Sequence, residues 1–137
     1  MSRFTRVMRS KPLFRHAMHS TCLFDQNSLV VTGSICGGNK DAAERYLIEE
    51  NRWVKLPRLV RERDTHSSCA FVSGTTSALY IFGGYSPPDE DGTDCSTIER
   101  LDFAENGKSN ASVWVELYIN SLRCEVPVHF GVNPVVL

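Results

Sequence analysis

The chain has 137 residues, 42% of them hydrophobic and 23% charged, with a net charge of −1. That is the length of one domain with a single core and the composition of an ordinary soluble protein. No apolar run approaches the ~18 residues of a membrane-spanning helix, so no membrane partner is expected.

The first 24 residues carry Arg3, Arg6, Arg9, Lys11 and Arg15 without an acid, leaving −6 on the rest of the chain. Such a start suits a nucleic-acid arm, a transit peptide or a solvated edge, and the solvated edge is the expectation. The segment lacks a secretory apolar core, which argues for a cytosolic or nuclear protein, with a cytoplasmic one as the expectation. "HSTCLF" at 19–24 contains a short apolar run, followed by the turn signal "DQNS". "LVVTGSICGGNK" at 29–40 is a strand-like run that ends in glycines and a lysine. It is not a phosphate-binding loop. Asn39 stands where the lysine belongs, Lys40 comes one place late, and Asp41 replaces the hydroxyl that would hold magnesium. "AERYL" at 43–47 and "WVKL" at 53–56 complete a series of four short strands.

The series then returns in the same order. "HSSCAF" at 66–71 follows "HSTCLF" by 47 residues, and "LYIFGG" at 79–84 follows "LVVTGS" by 50. "IERLD" at 98–102 follows "AERYL" by 55, and "WVEL" at 114–117 follows "WVKL" by 61. An offset that grows only between matched blocks is what loops of unequal length between fixed strands produce. The continuous runs "SLVVT" and "ALYIF" fit strands buried on both faces, as when sheets stack. The half-polar third block suits a strand nearer the rim. The expected fold is all-β, with four strands in each unit of about fifty residues.

This grammar resembles the Kelch repeat. The motifs that carry the resemblance are the diglycine Gly83-Gly84 followed by Tyr85, and the third-strand patterns Glu44-Arg45-Tyr46 and Glu99-Arg100-Leu101. Trp53 and Trp114 lead the fourth blocks, and Arg63 and His66 stand in "WVKLPRLVRERDTHS", similar to the family's junction between units. The first unit departs from the pattern, with Gly33-Ser34 for the diglycine and His16 at the arginine place. The resemblance covers about residues 15–117 and implies a partial Kelch-type β-propeller of two full four-stranded blades plus flanking strands of neighbouring blades. Residues 1–18 are then the outer strand and link of a preceding blade, 19–57 the first repeat, 58–117 the second, and 118–137 the start of an incomplete third. Two blades leave open faces, so the chain is expected to be a shortened piece of a longer propeller, to self-associate, or to be capped by a partner.

Several constellations invite chemistry. His16, His19 and Cys22 are spaced by three, and His66 with Cys69 repeats part of the pattern. Zinc uses such ligands, but residues i and i+3 on a strand point to opposite faces, and the recurrence suits a packing role. No metal is expected. His19, Cys22, Gly33, Trp53, His66, Cys69, Gly83, Gly84 and Trp114 are read as the structural motif of the repeat. The five cysteines form no C-x-x-C pair, so reduced thiols are expected. A calcium-hand loop starting at Asp89 would need glycine and glutamate where Asp94 and Arg100 stand. The "SPPDEDGTD" loop reads instead as a solvated insertion, of a kind that often bears binding residues. Asn110-Ala111-Ser112 is a glycosylation sequon without a signal peptide before it.

Arg58, Arg61 and Arg63, interleaved with Glu62 and Asp64, suit either local ion pairs or a rim for an acidic peptide. The partner-facing residues are expected to be Arg58, Arg61, Arg63, Tyr85, Asp89, Glu90, Asp91 and Asp94. No catalytic motif or cofactor fingerprint occurs, and the acidic repeat region disfavours nucleic acid. As the resemblance implies, the function is non-catalytic protein–protein interaction with an unidentified protein, without catalytic residues or cofactor. The alternatives are an enzyme on the same fold, a copper oxidase or sugar epimerase, and a non-functional fragment.

Overall fold

A computed structural model describes residues 10–35, 37–73, 76–86, 93–94, 97–103 and 113–117, with Thr76, Thr93 and Asp94 placed by backbone alone. These residues hold ten strands and no helix, so none that could cross a membrane. The first sheet is a meander of β1 (Ser20–Asp25), β2 (Ser28–Thr32), β3 (Ala43–Leu47) and β4 (Arg52–Lys55), each antiparallel to the next. The second repeats it with β5 (Ser67–Ser73), β6 (Thr76–Phe82), β9 (Ile98–Phe103) and β10 (Val115–Leu117) in the order β5-β6-β9-β10. Between β6 and β9 the chain forms a small hairpin of β7 (Tyr85–Ser86) and β8 (Thr93–Asp94). Every block of the repeat falls on or beside one of the eight long strands, and the fold is all-β.

Side chains alternate faces along each strand, so each sheet has two faces. The face of the first sheet bearing Cys22, Phe24, Val30 and Ala43 packs on the face of the second bearing Leu79, Ile81, Leu101 and Phe103. Leu59 and Trp114 complete this one core. Burial of each large side chain there stabilises by about 1.5–3 kcal/mol. Phe24 and Phe103 meet across the sheets at 4.5 Å between ring centroids, and the Arg45 guanidinium caps the Phe24 ring at 4.4 Å.

The opposite face of the first sheet carries a second cluster of Val31, Tyr46 and Trp53, with Leu29 and Ile48 packed against it. By the sequence offsets these five residues are the counterparts of Ile81, Leu101, Trp114, Leu79 and Phe103. The sheets therefore stack head to tail, unlike faces meeting. Consistent with that, Phe24 is 5% exposed while its counterpart Phe71, on the far face of the second sheet, is 44% exposed. β1 and β5 lie beside each other, and the Ser20 and Ser68 hydroxyls are hydrogen-bonded at 2.6 Å.

Two expectations need correction. The third strands are not polar because they lie near a rim: Glu44 on β3 and Glu99 on β9 are fully buried. The insertion after Gly84 does not run wholly as a loop, because its ends pair as β7 and β8.

Candidate functional site

Both buried glutamates act as anchors for the chain segment that precedes their own sheet. In the second unit, Glu99 accepts the amide N–H of Val60 at 2.7 Å and of Arg61 at 3.1 Å. It also accepts the Arg63 guanidinium at 2.6 Å, and both side chains are fully buried. A second nitrogen of that guanidinium donates to the Gly83 carbonyl at 2.8 Å. In the first unit, Glu44 accepts the amide N–H of Leu13 at 2.9 Å and of Phe14 at 3.5 Å. His16 stands in the place of Arg63, with Nε2 at 2.7 Å from Glu44 and Nδ1 at 3.0 Å from the Gly33 carbonyl. The tryptophans repeat the scheme, Trp53 donating to the Ser10 carbonyl at 3.3 Å and Trp114 to that of Pro57 at 2.8 Å.

Each preceding segment therefore uses equivalent atoms to dock on its sheet. The backbone shares the symmetry. Met18 and Thr65 are counterparts with φ of 52° and 47°, and Gly33 and Gly83 are counterparts with φ of 67° and 59°. Ile35 donates to the Ala17 carbonyl at 2.9 Å, and Tyr85 donates to that of Asp64 at 2.9 Å. Gly33 must lack a side chain for another reason. A Cβ there would collide with the Arg63 carbonyl and the His66 ring, which belong to the next unit. Gly84 is as constrained, since a Cβ at φ 94° would stand 2.6 Å from the Asp64 carbonyl.

Those contacts decide what the titratable groups can do. His66 is fully buried, and its Nε2 pairs with the Thr32 hydroxyl of the first unit at 2.8 Å. Burial, with the Arg63 and His19 charges adding to it, pushes its pKa down to about 3, so the ring is neutral. Burial likewise pushes the Cys22 thiol up to about 11 and raises that of Cys69. Thiols held protonated are poor nucleophiles and poor metal ligands. His19 faces solvent, but partial burial and then His16 hold it below the ordinary histidine value. Among the described residues, no three His, Cys, Asp or Glu side chains converge as a metal site would require.

The expected partner-facing residues separate into three groups. Arg58 and Arg61 are on the surface, their side chains 53% and 47% exposed, paired with Asp41 and Glu116 respectively. Tyr85 is exposed at the start of β7, and Glu62, which is not among the expected residues, is exposed next to Arg61 in sequence. Arg63 corrects the expectation of a three-arginine rim: it is wholly inside, because Glu99, Gly83 and Thr97 take up its guanidinium. Asp89, Glu90 and Asp91 lie outside the described residues, and Asp94 is described through its backbone pairing with Tyr85. Of the structural set, Gly33, Gly83, Gly84, His66, Cys22, Cys69, Trp53 and Trp114 all sit at buried positions, and His19 does not.

In the sequence, Glu44 and Glu99 read only as elements of the third-strand pattern, not as anchors. One signal was available. A glutamate in each third block and a cation shortly before each first block, His16 or Arg63, are charges of opposite sign at equivalent places of a repeat. A scan against protein-family models and a search of curated proteins return no match to this chain.

Proposed function

We propose that this chain is a non-catalytic protein–protein interaction module, built as a segment of a Kelch-type β-propeller in which each four-stranded sheet is a blade. The head-to-tail stacking of two equivalent sheets supports the propeller part of this reading, since each face type finds its complement only on a neighbouring unit. The observation that carries the functional part is the commitment of the buried reactive side chains to the framework. His66 is neutral beneath the Gly33 turn, the Cys22 thiol is held protonated, and Glu44, Glu99 and Arg63 are used to dock chain segments. Among the side chains left exposed for a partner are Arg58, Arg61, Glu62 and Tyr85. Guanidinium groups already resting on carboxylates suit an acidic protein segment that displaces Asp41 and Glu116. The module works in the cytoplasm, with further blades or another chain completing the propeller.

The test is binding of the purified chain to immobilised glutamate-rich peptides at low salt, against the double variant Arg58→Ala/Arg61→Ala. Both arginines are exposed, so the variant should melt like the parent. Affinity should fall about tenfold, roughly 1.4 kcal/mol. Equal binding by both proteins, or no binding by the parent, refutes the rim assignment.

A further inference from the structure

The two anchors differ in one group, and that difference bears on pH. Arg63 presents separate N–H donors to Glu99 and to the Gly83 carbonyl, and a guanidinium keeps its protons at any ordinary pH. His16 must serve the same two kinds of acceptor, the Glu44 carboxylate at 2.7 Å and the Gly33 carbonyl at 3.0 Å. A neutral imidazole has one N–H and one lone pair. With the proton on Nε2, the bare Nδ1 faces the Gly33 oxygen. With it on Nδ1, a lone pair faces a buried carboxylate. Both contacts are satisfied only when His16 and Glu44 together hold one proton more, either as imidazolium with carboxylate or as imidazole with carboxylic acid.

From this geometry we infer that the His16–Glu44 pair is a pH-sensitive latch: the extra proton fastens residues 13–19 to the first sheet, and its loss loosens them. The Arg63–Glu99 pair is the fixed version of the same latch, so only one of the two units responds. The side chains are screened from water, His16 being 5% and Glu44 0% exposed. The other groups placed near the ring, among the described residues, are these. The His19 ring lies at 5.5 Å and the Phe14 ring at 6.5 Å, with Lys55 and Arg58 over Phe14 at 5.6 and 5.8 Å. Those cations oppose a second positive charge, and among the described residues it is Glu44 that stands in direct contact with the ring. Because Glu44 also accepts the Leu13 and Phe14 amides, deprotonation is transmitted to the backbone of the segment.

The experiment is amide hydrogen exchange on the full chain at about pH 5.5 and about pH 7.5, corrected for intrinsic rates. Protection at Leu13 and Phe14 should fall about tenfold between the two, the equivalent of one lost charge-assisted bond. Val60 and Arg61 should not change. His16→Arg should flatten the response in the first unit, and Arg63→His should create one in the second. Should either variant fail to fold, the ring-nitrogen shifts of His16 in the parent protein decide. Two bound protons, or one shared with Glu44, at the lower pH and a single N–H at the higher support the latch. A bare, unbonded ring nitrogen at both pH values overturns it, as does pH-independent protection at Leu13 and Phe14.

Discussion

Glu99→Ala removes the anion on which three donors of the second unit converge. Arg63 stays behind, fully buried and unable to shed its proton, so the variant must either strand a charge or turn the side chain out through packed structure. Breaking a buried pair from one side costs about 3–5 kcal/mol. The Val60 and Arg61 amides also lose their acceptor, worth about 1–3 kcal/mol each before overlap with the first term. Since the terms share one site, the sum is about 4–5 kcal/mol rather than their full total. Against the ~5–15 kcal/mol of a typical domain that is a large share, and the urea midpoint should drop by about 2 M. Trp53 reports on the outer face of the first sheet and Trp114 on the core between the sheets, so fluorescence can follow both regions. Glu44→Ala should cost less, because an imidazole, unlike a guanidinium, can stay buried without a charge. A loss below about 1 kcal/mol for Glu99→Ala, or a larger loss at Glu44, would refute this account of the anchors.

Alanine at Gly33 or Gly84 should destabilise by about 2–4 kcal/mol through positive φ and collision with the next segment, whereas Gly37→Ala, with open space around it, should stay within about 0.5 kcal/mol. Thermal or urea denaturation of the three variants checks the ranking. Cys22 should resist iodoacetamide at pH near 8 in the folded protein and react on addition of urea, because burial and a pKa of about 11 leave almost no accessible thiolate; site-resolved mass spectrometry reads this out. The ring of His66 should keep the nitrogen shifts of a neutral imidazole down to about pH 4. Its folded pKa lies below the unfolded one, so the unfolded chain takes up the proton first. This residue's contribution to stability is therefore full above about pH 6.5 and declines by about 1.4 kcal/mol per unit as the pH falls towards 3.

The strands were readable because each is a short apolar run repeated at a related place, and strand identity depends on local pattern. Gly33 was readable as the end of a second strand for the same reason. The anchors were not, because a glutamate beside an arginine in "AERYL" and "IERLD" looks like any solvated pair until the preceding segment is seen to cross above it. Arg63 was misplaced for a related reason. Its neighbours Arg61 and Glu62 do face water, and nothing local distinguishes the one arginine whose nitrogens meet a carbonyl and a carboxylate inside. The hairpin of β7 and β8 had no apolar run to announce it, as its strands are two residues each and depend on Asp64 pairing with Tyr85.

Where two units share a framework, their differences at exposed counterparts mark what is free to be specific. The anchoring positions keep their chemistry: Glu44 matches Glu99, Trp53 matches Trp114, and Gly33 matches Gly83. At the outward positions of the same segments the units diverge. Lys11 stands opposite Arg58, Phe14 opposite Arg61, and Ile35 opposite Tyr85. Phe14 turns partly inward, with Lys55 and Arg58 over its ring, whereas Arg61 reaches out to Glu116. A partner that recognised only the repeated framework would bind both units alike. An acidic partner that reads the divergent positions should prefer the segment of the second unit, where Arg58 and Arg61 offer two guanidinium groups and Tyr85 an exposed aromatic ring. Exchanging Phe14 for arginine should therefore add little to binding of an acidic peptide, because the ring's place is partly buried, while Arg61→Phe should remove most of it.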